Sequence, residues 1–318
     1  SIVQAWPMFA AHALLLVGLV AMTLVDARHY IIPLSIPWAL TGVGIVANLL
    51  QPLTHRQLYA WGGYENPGNW AVVPTLTWTG LNVVLAGCLG LGIAILLVET
   101  GLLRRSFADY EEWEEAERKR LAAAKAQGGG EAKKADGAVD PEADPTVDDE
   151  FDLSAYPHAR REMLYEILFL GPCLAFMMIA FQVGTKLGWT GQPHPVLMGL
   201  GGALLGYLVG GGVVWGVRIF GSFAFKKEAM GLGDVHMMAA VGAILGWVDP
   251  TLAFFFAAPF LGIGYALLSL GPGRLIGSLR KPIPYGPFLA LGVLLVMLFK
   301  PEYEWFISRL LKEAINLP

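Results

Sequence analysis

Two aspartates have the type and placement to do chemistry. Asp26 sits in Leu24-Val25-Asp26-Ala27-Arg28-His29-Tyr30-Ile31-Ile32-Pro33, and Asp234 in Met230-Gly231-Leu232-Gly233-Asp234-Val235-His236. Each adjoins a long apolar run, where an ionisable residue is expensive and is by default a candidate functional group. Two carboxyls that share one site cannot both ionise cheaply, so the pair holds one proton between them. The charged member can then take a proton from an attacking water. The protonated member can stabilise an oxyanion and protonate a leaving amine. The bland alternative is two interfacial acids, with Asp234 favoured by the dipole of the helix it opens. Gly231 and Gly233 suit the catalytic reading, because glycine permits close approach of a substrate and torsions that other residues resist.

The elements that must position these residues are membrane spans. The chain is 55% hydrophobic, only 15% charged, and has a mean hydropathy of +0.54. About a quarter of a soluble domain is charged. Apolar runs near 8–26, 34–50, 80–103, 163–187, 195–219, 232–248, 251–270 and 284–300 predict about eight transmembrane helices, the second, sixth and eighth of them short. The fold class expected is an all-α polytopic bundle. Basic residues lie in alternate connections: Arg28, Arg104 and Arg105, Arg160 and Arg161, Arg218 with Lys226 and Lys227, then Arg274, Arg280 and Lys281. By the positive-inside rule these connections are cytoplasmic and the N-terminus is outside. Arg309 and Lys312, in a tail then expected outside, depart mildly from that pattern. Trp6, Trp61, Trp70, Trp78, Trp189, Trp247 and Trp305 all fall on the expected outer side, as interfacial rings should. With this polarity Asp26 closes one span and Asp234 opens another at the same depth, the cytoplasmic edge.

Charge is concentrated in one insert. Residues 104–161 hold ten Lys and Arg and fifteen Asp and Glu, a net −5, while the remainder is +1. No large basic surface exists for nucleic acid. Ser106 followed by Asp109 resembles a capping start, so residues 106–126 predict a cytoplasmic helix extending from the third span, stopped by Gly128, Gly129 and Gly130. The acidic, Pro-containing stretch 131–152 predicts disorder. A solvated linker is the simpler reading, and a docking site for a cytoplasmic partner the sharper one. Glu99, Glu162 and Glu166 read as interfacial partners of Arg104, Arg105, Arg160 and Arg161.

Other features point to packing. Cys88 and Cys173 lie in apolar runs, form no CxxC, and read as small packed hydrophobes. Gly199, Gly202, Gly206 and Gly210 form small-xxx-small spacings for close helix approach. His29 and His236 neighbour the aspartates, but their spacing matches no metal motif, so neither a metal nor a cofactor is expected.

Three blocks carry a family resemblance: Asp26 through Pro33 with Ile36-Pro37; Lys227-Glu228-Ala229-Met230-Gly231-Leu232-Gly233-Asp234 through Gly246-Trp247; and Ile283-Pro284-Tyr285-Gly286-Pro287-Phe288-Leu289-Ala290-Leu291-Gly292. In this order they resemble the prepilin peptidases, or type IV leader peptidases, which are intramembrane aspartic proteases with a GxGD motif. The resemblance covers roughly 15–50 and 195–300. It implies a metal-free dyad of Asp26 and Asp234, supported by Pro33, Pro37, Gly231, Gly233, Gly286 and Pro287. It leaves open which aspartate is the base. It also implies cleavage, at the cytoplasmic face of the cell membrane, of the basic leader from type IV prepilins or type II secretion pseudopilins. Many members carry a domain with two CxxC pairs linked to N-methylation. Nothing here corresponds to it, so peptidase activity without methylation is expected. The aspartates are farther apart than is usual in the family. The chain is therefore expected to divide into a six-span core, 1–50 and 195–300, a two-span insertion, 51–194, and a tail, 301–318. The rivals are a GxGD protease with another membrane substrate and a non-catalytic scaffold for pilus or secretion assembly.

Overall fold

The computed structural model describes residues 2–29, 31–54, 76–127, 158–225, 228–269 and 285–311. The expected disorder at 131–152, the outer loop after Thr54, and the basic connections at 226–227 and 274–281 lie outside the described residues. Among the described residues there is no strand. The helices are α1 (Ile2–His29), α2 (Ser35–Thr54), α3 (Trp78–Glu99), α4 (Tyr110–Gln127), α5 (Ala159–Lys186) and α6 (Pro195–Phe225). They continue as α7 (Leu232–Leu245), α8 (Val248–Leu252), α9 (Ala258–Ser269), α10 (Gly286–Leu298) and α11 (Lys300–Leu311).

Five of them are long and apolar enough to cross a membrane: Ala5–His29 within α1, α2, α3, Arg160–Lys186 within α5, and α6. The chain is a multi-pass, all-helical membrane protein. The second span, expected to be short, runs for 20 residues, and the sixth and eighth correspond to the shorter apolar helices α7 and α10. The seventh is continuous but changes its winding. Helix α8 gives way to a π-turn at Ala253–Ala257 before α9 resumes. Pro259, just beyond, has no N–H to continue the regular ladder.

Helix α7 is the axis of the core. Its 14 residues rise about 21 Å, less than the roughly 30 Å of a hydrocarbon layer. That length is tolerated because neighbours wrap it: apart from His236, every residue from Asp234 to Leu245 is buried. Helices α1, α2 and α6 surround it. The contacts are made through glycines. Gly206 of α6 and Gly242 of α7 meet backbone to backbone, with no room for a Cβ on either. A Cβ on Gly44 of α2 would stand 2.7 Å from the Ala243 carbonyl oxygen. Asn48 Nδ2 donates to that same oxygen at 3.1 Å and to the Gly44 oxygen at 2.9 Å. Small residues let helix backbones approach where lipid provides no hydrophobic drive.

Helices α3 and α5 pack chiefly on each other and lean on α6. Thr79 Oγ1 donates to the Trp189 carbonyl at 2.8 Å, and a Cβ on Gly184 would meet Thr79. Between α3 and α4 the chain departs from expectation. It turns at Gly101 (φ 73) and Phe107 (φ 56), so α4 begins at Tyr110 and does not extend α3. Asp109 is drawn off by cations: Arg161 Nη2 lies 2.7 Å away and Arg104 Nη2 3.4 Å.

Candidate active site

Asp26 lies in the last turn of α1 and is 7% exposed. The helix stops shortly after because Pro33 lacks an N–H and disfavours helical torsions at Ile32. The turn is closed by the Ile36 N–H on the Pro33 carbonyl, 3.2 Å. Pro37, buried in the first turn of α2, needs no N–H partner there, and its carbonyl accepts the Thr41 hydroxyl at 2.9 Å. The two prolines thus reverse the chain and leave Ile32 against the core.

Gly286 opens α10, where amides have no partner inside the helix. Its N–H donates to Asp26 Oδ2 at 3.1 Å. The same carboxylate occupies the place a Gly286 Cβ would take. Pro287 follows in the first turn, where its missing N–H costs nothing.

Asp234 is the third residue of α7 and is 8% exposed. Gly231 lies beside its carboxylate: a Cβ there would stand 3.6 Å from Asp234 Oδ2. Asp234 also lies within electrostatic reach of Asp26 and of Arg218. Gly233 faces Ile32, whose Cβ would be 2.8 Å from a Gly233 Cβ, so the first and second blocks interlock. The expectation that both glycines supply unusual torsions fails at Gly233, a helical residue of α7 without positive φ, and also at Gly231. The Gly231 φ of −68 and ψ of 148 are ordinary extended values. What Gly231 contributes is an exposed, side-chain-free approach to Asp234. His236 lies against Trp38 with the rings tilted by 39° and their centroids 5.7 Å apart, while His29 is exposed.

The sequence reading missed Arg218. Placed in a connection by the charge pattern, it lies inside α6 and is 2% exposed. Glu166, expected to pair with Arg160 or Arg161, points instead to Arg218: Nη2 is 2.9 Å from Oε1, and Nε is 3.1 Å from both carboxylate oxygens. The Trp215 indole donates to Glu166 Oε2 at 2.7 Å. Glu162 does pair with Arg161, at 2.8 Å, and accepts the Phe107 N–H at 2.6 Å. A signal for Arg218 was available: an arginine three residues after a tryptophan within an apolar helix.

Residues 163–267 match the model of the type IV leader peptidase family. The match includes Asp234 and begins within α5, a helix assigned above to an insertion. It leaves Asp26 and Gly286 to the motif resemblance and the geometry. The prepilin leader peptidase/N-methyltransferase of Aeromonas hydrophila is 32% identical over 146 residues, 42% of this chain and 47% of that protein. Leader peptidase HopD of Salmonella typhimurium is 39% identical over 95 residues, 29% of this chain and 56% of that protein. The HopD of Escherichia coli is 37% identical over 99 residues, 31% and 60% respectively. The chain thus spans about half the length of the curated relatives it matches. No solved structure matches it. Through residues 163–267, which include its GxGD block, the chain is similar to the type IV leader peptidase family.

Proposed function

We propose that the chain is a membrane-embedded aspartic endopeptidase that removes the basic leader from type IV prepilins or type II secretion pseudopilins. The observation that carries this reading is the convergence of three separate blocks on one pair of acids. Asp26 is held by the Gly286 amide, Gly231 lies beside the Asp234 carboxylate, and Ile32 packs on Gly233. Asp26 and Asp234 act as the dyad, with Pro33, Pro37, Gly231, Gly233, Gly286 and Pro287 shaping it.

In this reading the pair holds one proton. The ionised carboxylate takes a proton from water as the water oxygen adds to the scissile carbonyl. The protonated carboxyl donates to the carbonyl oxygen, giving a neutral tetrahedral intermediate. Collapse of the intermediate breaks the C–N bond, with a proton passing to the leaving amine. Coupled carboxyls titrate as a unit, so the roles belong to the pair. The exposed backbone at Gly231 is where an extended substrate strand approaches.

The distribution of Lys and Arg supports an outer N-terminus and a dyad at the cytoplasmic edge of the cell membrane. Residues 1–50 and 195–300 supply the catalytic core, and the acidic segment 104–161 serves as a linker that carries α4. The reading is confined to the cleavage step. Co-expression with a type IV prepilin tests it. The pilin should lose the mass of its leader with the native chain and keep it with Asp26→Asn or Asp234→Asn. An intact leader alongside well-folded native chain would sink the substrate assignment.

A further inference from the structure

Met230 directly precedes the turn that presents Asp234, and its carbonyl is held by Arg218 Nη1. The same Nη1 donates to the Glu228 carboxylate. Two more contacts tie this segment to α6. The Ala229 N–H donates to Ser222 Oγ at 3.0 Å, and the Ala229 Cβ would be 2.8 Å from a Cβ on Gly221. The other edge of the guanidinium is clamped by Glu166 of α5, 3% exposed, and that carboxylate is itself fixed by Trp215. The Phe107 ring lies 5.5 Å from the guanidinium carbon. A planar fork gripped along one edge has its remaining nitrogen aimed in a single direction, which a lysine ammonium does not reproduce.

We propose that Arg218 and Glu166 are positioning residues, which set the register of the Met230–Asp234 turn against Asp26. Helix α5 is then part of the apparatus that supports the dyad, and the α3–α5 hairpin is no passive insertion. The catalytic part of this inference rests on the peptidase reading, and the geometric part does not. Because the chemistry requires two carboxyls on one water, a shift of about 1 Å in the turn costs roughly a hundredfold in rate.

The test separates the two parts. In a Cys88→Ala, Cys173→Ala background, Asp26→Cys and Asp234→Cys are combined and treated in detergent with a short bifunctional thiol reagent. Arg218→Lys and Glu166→Gln are each added in turn. Glu228→Gln is a third addition that leaves the buried Glu166 clamp intact and so protects folding. Cross-linking should slow by about tenfold with Arg218→Lys or Glu166→Gln, and by less with Glu228→Gln. In the catalytically intact chain, Arg218→Lys should lower kcat by about tenfold to a hundredfold with KM held within about twofold. Unchanged cross-linking in all three would overturn the proposal, as would a change in KM alone. Sensitive cross-linking in a chain that cleaves no prepilin would uphold the geometry and sink only the peptidase reading.

Discussion

Two buried charge clusters stand side by side in this protein, and their charge arithmetic is opposite. Around Arg218, a cation meets Glu166 and Glu228, and every group has a hydrogen-bond partner of complementary character. At the proposed dyad, two acids of similar burial lie within electrostatic reach of each other, and Asp26 accepts the Gly286 amide. Opposite charges with satisfied donors define one geometry and resist change. Like charges with spare lone pairs leave a proton to be shared, which is a reactive condition. On the proposed reading, burial alone does not separate scaffold from catalyst. The sign of the neighbours does.

The contrast can be broken or sharpened by substitution. On the proposed reading, Asp26→Asn and Asp234→Asn each abolish the proton-sharing pair while conserving shape. Each should lower cleavage by about a hundredfold to ten-thousandfold, with thermal unfolding in detergent close to native. Glu166→Ala should cost stability as well as cleavage, leaving the Arg218 charge buried without its clamp. The expected loss is about 3–5 kcal/mol of stability, read as a lowered unfolding midpoint. Native-like stability there would mean that the Arg218 cluster is not structural. Gly286→Ala, which drives a methyl into the Asp26 carboxylate, should lower cleavage by about tenfold to a hundredfold at a stability cost of about 1–3 kcal/mol. The smallest effect is expected far from both clusters. Lys119→Ala in α4 removes an exposed pair with Glu115 at 3.6 Å. It should change stability by about 0.3–0.5 kcal/mol and leave cleavage unchanged.

Much of this arrangement was legible in the residues. The sequence marked Asp26 as closing one helix and Asp234 as opening another, and the small-xxx-small spacing of α6 anticipated its contact with α7. The partners across the fold were not legible. Gly286 is 260 positions from Asp26, and nothing local in Tyr285-Gly286-Pro287 shows that its amide faces an acid. Gly233 is needed because Ile32 fills the space of its Cβ, a fact that belongs to tertiary packing. The assignment of Glu166 to Arg161 was correctable. Five residues along a helix rotate a side chain about 140° from the starting face, whereas partners three or four apart share a face. Glu162, adjacent to Arg161, keeps its expected partner, with Arg161 Nε donating to Glu162 Oε1 at 2.8 Å. The change of winding in the seventh span at Ala253–Ala257 was hidden because its composition is uniformly apolar.

The central claim is that Asp26 and Asp234 work as one unit. The direct measurement is kcat on a purified prepilin substrate for the native chain, Asp26→Asn, Asp234→Asn and the double variant. Groups that act together lose nearly everything with the first substitution. The account therefore predicts that each single variant is about as impaired as the double. A single variant that cleaves at the native rate, or losses that multiply independently in the double, would contradict it.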